Sequence, residues 1–309
     1  MSKEGVSVCI SAYKAKDYIK ECLDSVVNQS WFKTNDNWEI IVGVDGCEET
    51  LEYLKTIMHL YKHLRVFMMD SNRGTYVTSN TIISNATYDN IFRFDSDDIM
   101  CPNLVETVLK RKGSHQFVRY HMKNFGGAST TAIAWGIIFI TKPLFLKYGG
   151  YKPWPCGADS DFYYRLRSLE RIKTLPEILM LRRVHSTSLT QSKETGMKSD
   201  FRKKYADQIK KNIFKRADAI IDCVTNTYKE IVSPLEGTAN QDDYIENLND
   251  DTKEDNIYMK HIKAFIKPKP KYATLQRKKK YERQNDGKPK HLLAKASMNK
   301  SHFWGTFLN

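Results

Sequence analysis

The sequence has few of the features that mark a disulfide-bonded or membrane-spanning protein. Its 309 residues include six scattered cysteines, and no two of them form a Cys-x-x-Cys pair. This argues against both a disulfide framework and a cysteine-based zinc site. The longest apolar run, residues 132–140, is too short to span a bilayer, and no secretory signal is evident before the first apolar segment. We therefore expect a cytoplasmic protein with reduced thiols.

Two glycine-rich signatures of phosphate binding are also missing. The sequence has no G-x-x-x-x-G-K-[ST] loop, and Ser11-Ala12-Tyr13-Lys14 stands where a G-x-G-x-x-G turn would follow the first predicted strand. These absences count against P-loop enzymes, dinucleotide-binding enzymes and sugar nucleotidyltransferases.

The net positive charge is concentrated near the end of the chain. Residues 260–300 contain 14 Lys and Arg against two acidic residues, so this segment holds 12 of the net charge of +13. The rest of the chain is close to neutral. A basic segment with interspersed aromatics is a solvated tail, a polyanion-binding segment such as one for nucleic acid, or a membrane-surface contact.

Strand and helix patterns alternate over the first hundred residues. Short apolar runs predict strands, and apolar stripes with helical spacing lie between them. The predicted strands are 6–10, 39–44, 64–69 and 91–94, with helices near 19–27, 51–61 and 76–84. This alternation indicates βαβ units and a parallel sheet flanked by helices.

Beyond residue 98 the pattern is less regular. We predict one buried strand over residues 131–141 and a turn at Gly149-Gly150. Phe162, Leu166, Leu169 and Ile172 have helical spacing, and residues 199–232 have the pattern of an amphipathic helix. We accordingly divide the chain into a catalytic domain (1–195), a helical extension (196–232), an acidic linker (233–259) and a basic C-terminal segment (260–309).

The run Asp95-Ser96-Asp97-Asp98 directly follows the fourth predicted strand. Ligands bind at the carboxyl ends of strands in open α/β sheets. Clustered carboxylates there suit a hard divalent cation that is also held by substrate phosphates. A solvated acidic turn is the alternative interpretation.

Several motifs together resemble the family-2 glycosyltransferases of the GT-A fold over residues 5–195. Each is weak alone, but they occur in the family's order and spacing. They are VSVCISAYKAKDYIKECLDSVVNQ (6–29), VDG (44–46), NRG (72–74), DSDD (95–98), GG (149–150), ADSDFYYRL (158–166) and RRVHSTSLT (182–190).

The resemblance implies a nucleotide-sugar site. Ser11, Ala12, Tyr13 and Asp45 would hold the nucleotide base, with Asp45 accepting from the ring N–H of uracil, so a UDP-sugar is favoured. Other residues would bind the rest of the donor and its metal ion, Mn²⁺ or Mg²⁺. These are Arg73 near the base or diphosphate, Asp95 and Ser96 near the ribose, and Asp97 and His185 at the metal.

The resemblance also implies an inverting mechanism with a carboxylate base. Asp159 matches the second position of the family's Glu-Asp motif, but Ala158 replaces the Glu. Asp161 therefore stays open as the base, and both carboxylates are also suited to the first turn of a helix.

The acceptor is open as well. A glycan is the default for the family, and a hydroxylated DNA base held by the basic segment is the second hypothesis, which would make this a DNA-modifying enzyme. The transferred group would be a hexose or a pentose. The alternative class is a degenerate GT-A fold that binds nucleic acid without catalysis.

Overall fold

The computed structural model describes residues 4–167, 170–212 and 228–231. Ten strands occur in this part of the chain. In chain order they are β1 Val6–Ala12, β2 Trp38–Val44, β3 Leu64–Met69, β4 Asn90–Asp95, β5 Ile99–Met100, β6 Phe117–Phe125, β7 Thr131–Ile133, β8 Ile138–Thr141, β9 Ile172–Arg183 and β10 Tyr228–Ile231.

Seven α-helices accompany these strands in the described residues. They are α1 Ile19–Val27, α2 Glu48–Ile57, α3 Thr75–Ser84, α4 Leu104–Arg111, α5 Lys142–Lys147, α6 Ala158–Arg167 and α7 Asp200–Asn212. Two 3₁₀ turns, Ser30–Thr34 and Met58–Leu60, follow α1 and α2.

The strands form one sheet in the order β10-β3-β2-β1-β4-β8-β6-β9-β5, with β7 paired to β6. Strands β3, β2, β1 and β4 are mutually parallel. Beyond β4 the sheet is mixed, because β8 is antiparallel to both β4 and β6, and β6 is parallel to β9. The predicted α/β class, with parallel βαβ units flanked by helices, is confirmed.

The sheet is covered by helices on both faces, which explains why its inner strands are apolar at almost every position. Every residue of β1 and β2 is buried. One apolar cluster joins one face of the sheet to α1, α2 and α4. A second cluster joins the other face to α3, α5 and α6. The predicted apolar stripe of α1 is buried along its length.

The single strand predicted over residues 131–141 is two strands. Both β7 and β8 pair with β6, but five residues (134–138) stand opposite only two residues of β6 (119–120). The three extra residues form a bulge, and this local disruption of pairing is what divides the strand. The bulge carries Trp135 and Gly136.

Two helical predictions also need correction. Helix α6 ends at Arg167, and Ile172 begins β9, where pairing with β6 decides its conformation; Leu169 lies outside the described residues. The helix predicted over 199–232 is α7 followed by β10, because residues 228–231 pair antiparallel with the edge strand β3. The predicted linker (233–259) and basic segment (260–309) lie outside the described residues.

Within the described ranges, none of the helices has both the length and the apolar character needed to cross a membrane.

A buried carboxylate joins the strands at the edge where β1 and β2 begin. Glu39 accepts hydrogen bonds from the Ser7 hydroxyl at 2.7 Å and from the Thr87 hydroxyl at 2.9 Å. It also accepts from the backbone N–H of Thr87 and from the Arg65 guanidinium, the latter at 2.9 Å. Four donors therefore converge on one carboxylate and connect β1, β2, β3 and the turn before β4.

We predict that Glu39→Gln lowers the free energy of unfolding by about 2 kcal/mol. The amide keeps the size of the side chain but places an NH₂ group against donors, so a hydrogen bond is lost and the Arg65 charge is no longer balanced. Urea unfolding measures the change. Glu52→Gln, in an exposed pair with Lys55, is the control and should leave the free energy of unfolding almost unchanged. Equal effects of the two variants would contradict the assignment.

Candidate active site

The candidate site lies at the carboxyl ends of the parallel strands, where the direction of the connections reverses. Strand β1 has β2 on one side and β4 on the other, so the helices after β1 and after the later strands diverge. A crevice opens at such a point. It is bordered by residues 11–13 after β1, by Asp45 after β2 and by residues 95–98 after β4.

Asp45 is buried and holds the loop that contains Arg73. Its two carboxylate oxygens accept the backbone N–H groups of Arg73 at 2.8 Å and Gly74 at 2.9 Å. Burial raises the pKa of Asp45, and these hydrogen bonds oppose the rise. Gly46, with a φ of +63°, lets the chain pass directly against the backbone of Ser71 and Asn72. A carboxylate has about four acceptor positions, so capacity for a base N–H remains.

The predicted loop after β1 divides between a buried and an exposed part. Ser11 is buried, and its hydroxyl contacts those of Ser79 at 2.9 Å and Thr75 at 3.0 Å. Ala12 is buried beside it, whereas Tyr13 is 46% exposed. Tyr13 therefore offers the aromatic face of this loop to a ligand.

Arg93 is a site residue that the sequence analysis missed. It lies on β4 two residues before Asp95, so both side chains point to the same face of the sheet. It is 3% exposed, forms an ion pair with Asp95 at 2.7 Å and donates to Thr75 at 2.9 Å. It also donates to the carbonyl of Gly136 at 3.2 Å. Charge at an inward position of an apolar strand is the signal that would have identified it.

The electrostatics of this pair follow from its burial. Burial opposes the charge of Arg93, but the nearby carboxylates of Asp95 and Asp159 and two tyrosines outweigh it and raise the pKa of Arg93. Burial raises the pKa of Asp95, with Arg93 opposing the rise. The pair therefore forms a compact, nearly neutral wall between the two halves of the sheet.

Asp97 and His185, both predicted to lie at the metal, are in contact. Nε2 of His185 lies 2.8 Å from Oδ2 of Asp97, and Nδ1 lies 2.8 Å from the Thr187 hydroxyl. Tyr18 packs on the imidazole with ring centroids 4.8 Å apart.

Asp98 and Ser96 have a supporting position in the same run. Asp98 is buried and accepts the backbone N–H of Arg183 at 2.8 Å, which fixes the end of β9 against this run. Burial raises the pKa of Asp98 well above its usual range. Ser96 is buried.

The side chains at this edge fit a divalent metal ion whose remaining ligands come from the substrate. In the described part of the chain, no three His, Cys, Asp or Glu side chains converge as a ready metal cage. Asp97 and His185 would supply two ligands, whereas the Asp95 carboxylate is directed to Arg93. Mg²⁺ and its analogues are commonly held by one or two protein ligands together with substrate phosphates.

The two candidate bases at the start of α6 have different surroundings. Asp159 accepts one hydrogen bond, from the Tyr76 hydroxyl to Oδ1 at 2.9 Å. Its Oδ2 faces Gly136, where an added Cβ would lie 3.2 Å away. Asp161 is buried between Lys152 and Arg165, each 2.8 Å from one of its oxygens. The surroundings favour Asp159 for proton transfer and give Asp161 a structural contact.

Comparison with known proteins agrees with this geometry. Residues 7–142 match the model of Glycosyl transferase family 2. This stretch, a little under half of the chain, is similar to a family-2 glycosyltransferase domain. An uncharacterized glycosyltransferase of Haemophilus influenzae is 33% identical over 105 residues, which are 34% of this chain and 31% of that protein. The chain thus spans only about a third of the length of this relative.

Solved structures agree with the fold of this chain. S. aureus TarS 1–349 in complex with UDP superposes with a TM-score of 0.51 at 18% identity, covering 69% of this chain and 73% of that one. The mannosyltransferase PcManGT of Pyrobaculum calidifontis, in complex with GDP-Man and Mn²⁺, gives 0.50 at 17% identity, covering 59% and 58%. At these identities the likeness establishes the GT-A architecture.

We predict that Asp161→Asn lowers the free energy of unfolding by about 2–4 kcal/mol, because it leaves two cations without their buried partner. Arg165 also donates to the carbonyl of Gly150 at 2.6 Å, so the Gly149-Gly150 turn should loosen as well. Asp159→Asn is the matched control on the same helical turn and should cost less than about 1 kcal/mol. Urea unfolding measures both variants, and a larger loss for Asp159→Asn would reverse the two roles.

Proposed function

We propose that this protein is an inverting glycosyltransferase that moves a hexosyl or pentosyl group from a nucleotide-sugar, with UDP-sugars favoured, to an acceptor hydroxyl. One observation carries the proposal. Asp45, Asp97 and His185 lie at one edge of the sheet, and Asp159, which has one oxygen free of hydrogen bonds within the described residues, is close enough to act electrostatically on Asp95 of that edge.

The donor would lie along the carboxyl ends of β1, β2 and β4. Tyr13 and Asp45 would contact the base, and Asp95 and Ser96 the ribose, with Arg73 near the diphosphate. The UDP complex of TarS and the GDP-Man complex of PcManGT support a nucleotide-sugar donor for this fold. The carboxylate of Asp45 favours uracil, which has a ring N–H to donate.

Asp97 and His185 would hold Mn²⁺ or Mg²⁺, as the Mn²⁺ in the PcManGT complex supports. Such an ion, when bound, acts as a Lewis acid that stabilises the negative charge on the diphosphate leaving group. Thr187 contacts Nδ1 and so orients the imidazole, while Nε2 faces Oδ2 of Asp97, the other proposed ligand.

Asp159 would remove the proton of the acceptor hydroxyl through Oδ2, while Tyr76 holds Oδ1 and so fixes the carboxylate plane. Burial and the Asp159 charge raise the pKa of Tyr76 well above its usual range. Tyr76 therefore remains a hydrogen-bond donor at neutral pH. A base on the side opposite the leaving group leads to direct displacement with inversion.

The acceptor hypotheses depend on different parts of the chain. A DNA base, or a nucleic-acid-binding role without catalysis, depends on the basic segment 260–309, which lies outside the described residues. A glycan acceptor depends on the wall of the site formed by β6, the bulge at 134–138 and α6. The presence of that wall favours the glycan acceptor. Truncation before Lys260 tests the basic segment separately.

We predict that Asp97→Asn lowers the rate of donor hydrolysis and transfer about a hundredfold or more, with the fold intact. The amide keeps the shape but removes a charged ligand. The rate is measured with UDP-sugars over a Mn²⁺ titration. Asp36→Asn, exposed before β2 at the opposite edge of the sheet, is the control. Normal turnover by Asp97→Asn with chelator present would rule out the metal role.

We predict that Asp159→Asn lowers transfer by about 10²–10⁴-fold and leaves donor binding unchanged, because the base acts on the acceptor and not on the diphosphate. Transfer is measured by product formation and donor binding by calorimetry with UDP. The product of the unsubstituted enzyme should have an inverted anomeric carbon. Retention of configuration, or unimpaired transfer by Asp159→Asn, would exclude this base.

A further inference from the structure

Arg119 is a buried arginine that the proposed reaction does not yet use. It lies on β6 and is 4% exposed. Its guanidinium carbon lies 4.3 and 4.4 Å from the ring centroids of Trp135 and Tyr163, and these two rings meet edge-to-face with centroids 5.1 Å apart. Its Nε donates to the carbonyl of Ala134 at 3.3 Å. Both rings therefore lie on the same side of the guanidinium and do not enclose it.

The charge of Arg119 has no carboxylate partner within 4.0 Å in the described part of the chain. Its other polar contact, the Tyr163 hydroxyl, is neutral. Neighbouring arginines differ, because Arg93 is paired with Asp95 and Arg165 with Asp161. Burial lowers the pKa of Arg119, although an arginine stays charged in proteins. An unbalanced buried charge is costly, so a ligand that balances it would bind with a corresponding gain.

The position of Arg119 places this charge beside the proposed base. The bulge that begins at Ala134 runs from the Arg119 contact through Trp135 to Gly136, which faces Asp159. Tyr163 lies four residues after Asp159 on α6, hence on the same face of the helix. Asp159 is also close enough to act electrostatically on Arg119. Arg119 therefore borders the acceptor side of the site.

A second cation on this side adds to the surplus of positive charge. Arg202 on α7 has a buried Nη2 without a hydrogen-bond partner in the described residues, and its charge acts on Tyr76 and Cys156. Within the described residues, Asp161 forms ion pairs with Lys152 and Arg165 alone, so it does not balance Arg202. Within the described residues, Arg119 and Arg202 are thus two arginines near Asp159 that have no carboxylate ion pair.

We propose that the acceptor is an acidic saccharide, and that Arg119 binds the carboxylate of a uronate-type sugar next to the reacting hydroxyl. The edge of a guanidinium matches a planar carboxylate through two parallel hydrogen bonds. The half-buried rings of Trp135 and Tyr163 supply amphipathic surfaces for a sugar ring. The proposal rests on the proposed function, since it names the acceptor class of that same site.

The test uses three probes that differ at one carbon. They are p-nitrophenyl β-D-glucoside, p-nitrophenyl β-D-glucuronide and p-nitrophenyl β-D-glucoside 6-phosphate. Calorimetry with the full chain, without donor, gives each affinity. We expect the glucuronide to bind about tenfold more tightly than the glucoside, because a charge-assisted bidentate contact is added. Equal binding of these two probes would overturn the proposal, and tighter binding of the phosphate would overturn the carboxylate assignment.

Variants at Arg119 separate recognition from structure. Arg119→Met should remove the preference for the glucuronide and leave glucoside binding within about twofold. Arg119→Lys keeps the charge without the fork and should retain only part of the preference. Arg167→Gln is the matched control, because Arg167 is exposed on α6 and lies 5.3 Å from the Tyr164 ring. If both Arg119 variants fold and keep the preference for the glucuronide, another residue recognises the carboxylate and the proposal for Arg119 is wrong.

Hydrolysis of UDP-sugars by the unsubstituted protein is measured in parallel. Its absence would count against the proposed function, whereas the probe preference is measured without a donor and tests the acceptor class by itself.

Discussion

A guanidinium buried under the carboxyl edge of a sheet needs a negative charge beside it, and Asp95 supplies that charge to Arg93 at 2.7 Å. This pair lies where the parallel and mixed halves of the sheet meet. From it, hydrogen bonds run to Thr75 on α3 and to the carbonyl of Gly136 in the bulge. Helix α3 and the bulge are therefore fixed to the same buried cation. Removing one partner would leave an uncompensated charge in the core, so the arrangement is held in one geometry.

The parallel half could be predicted from the sequence because its signals are local. Each strand is a short apolar run, and each intervening helix has its own apolar stripe. The carboxylates of residues 95–98 follow a strand directly, so their place at the edge is decided by the strand. The Asp97–His185 contact joins residues 88 apart, and the family resemblance, rather than any spacing, indicated it.

The mixed half could not be predicted because its structure is decided by pairing between distant segments. Residues 131–141 have one continuous strand pattern, but β6 offers too few residues opposite them and a bulge results. Likewise, residues 228–231 read as helix and become strand by adding to the exposed edge of β3. Arg93 and Arg119 were missed for a related reason. A charged residue in an apolar strand gains its meaning only from the partners that surround it in the fold.

The two halves also differ in how they handle charge. The carboxyl edge of the parallel strands has several carboxylates, and His185, which follows β9, contributes an imidazole there. In the proposed function these groups suit a cation and a base N–H. On the side of β6, α6 and α7, Asp161 is paired with Lys152 and Arg165. Arg119 and Arg202 have no carboxylate partner there in the described residues. A neutral acceptor would leave that surplus unbalanced at each turnover, whereas an acidic one neutralises it on binding. Charge balance thus distinguishes acceptor classes that the fold alone, shared among enzymes with different donors, does not.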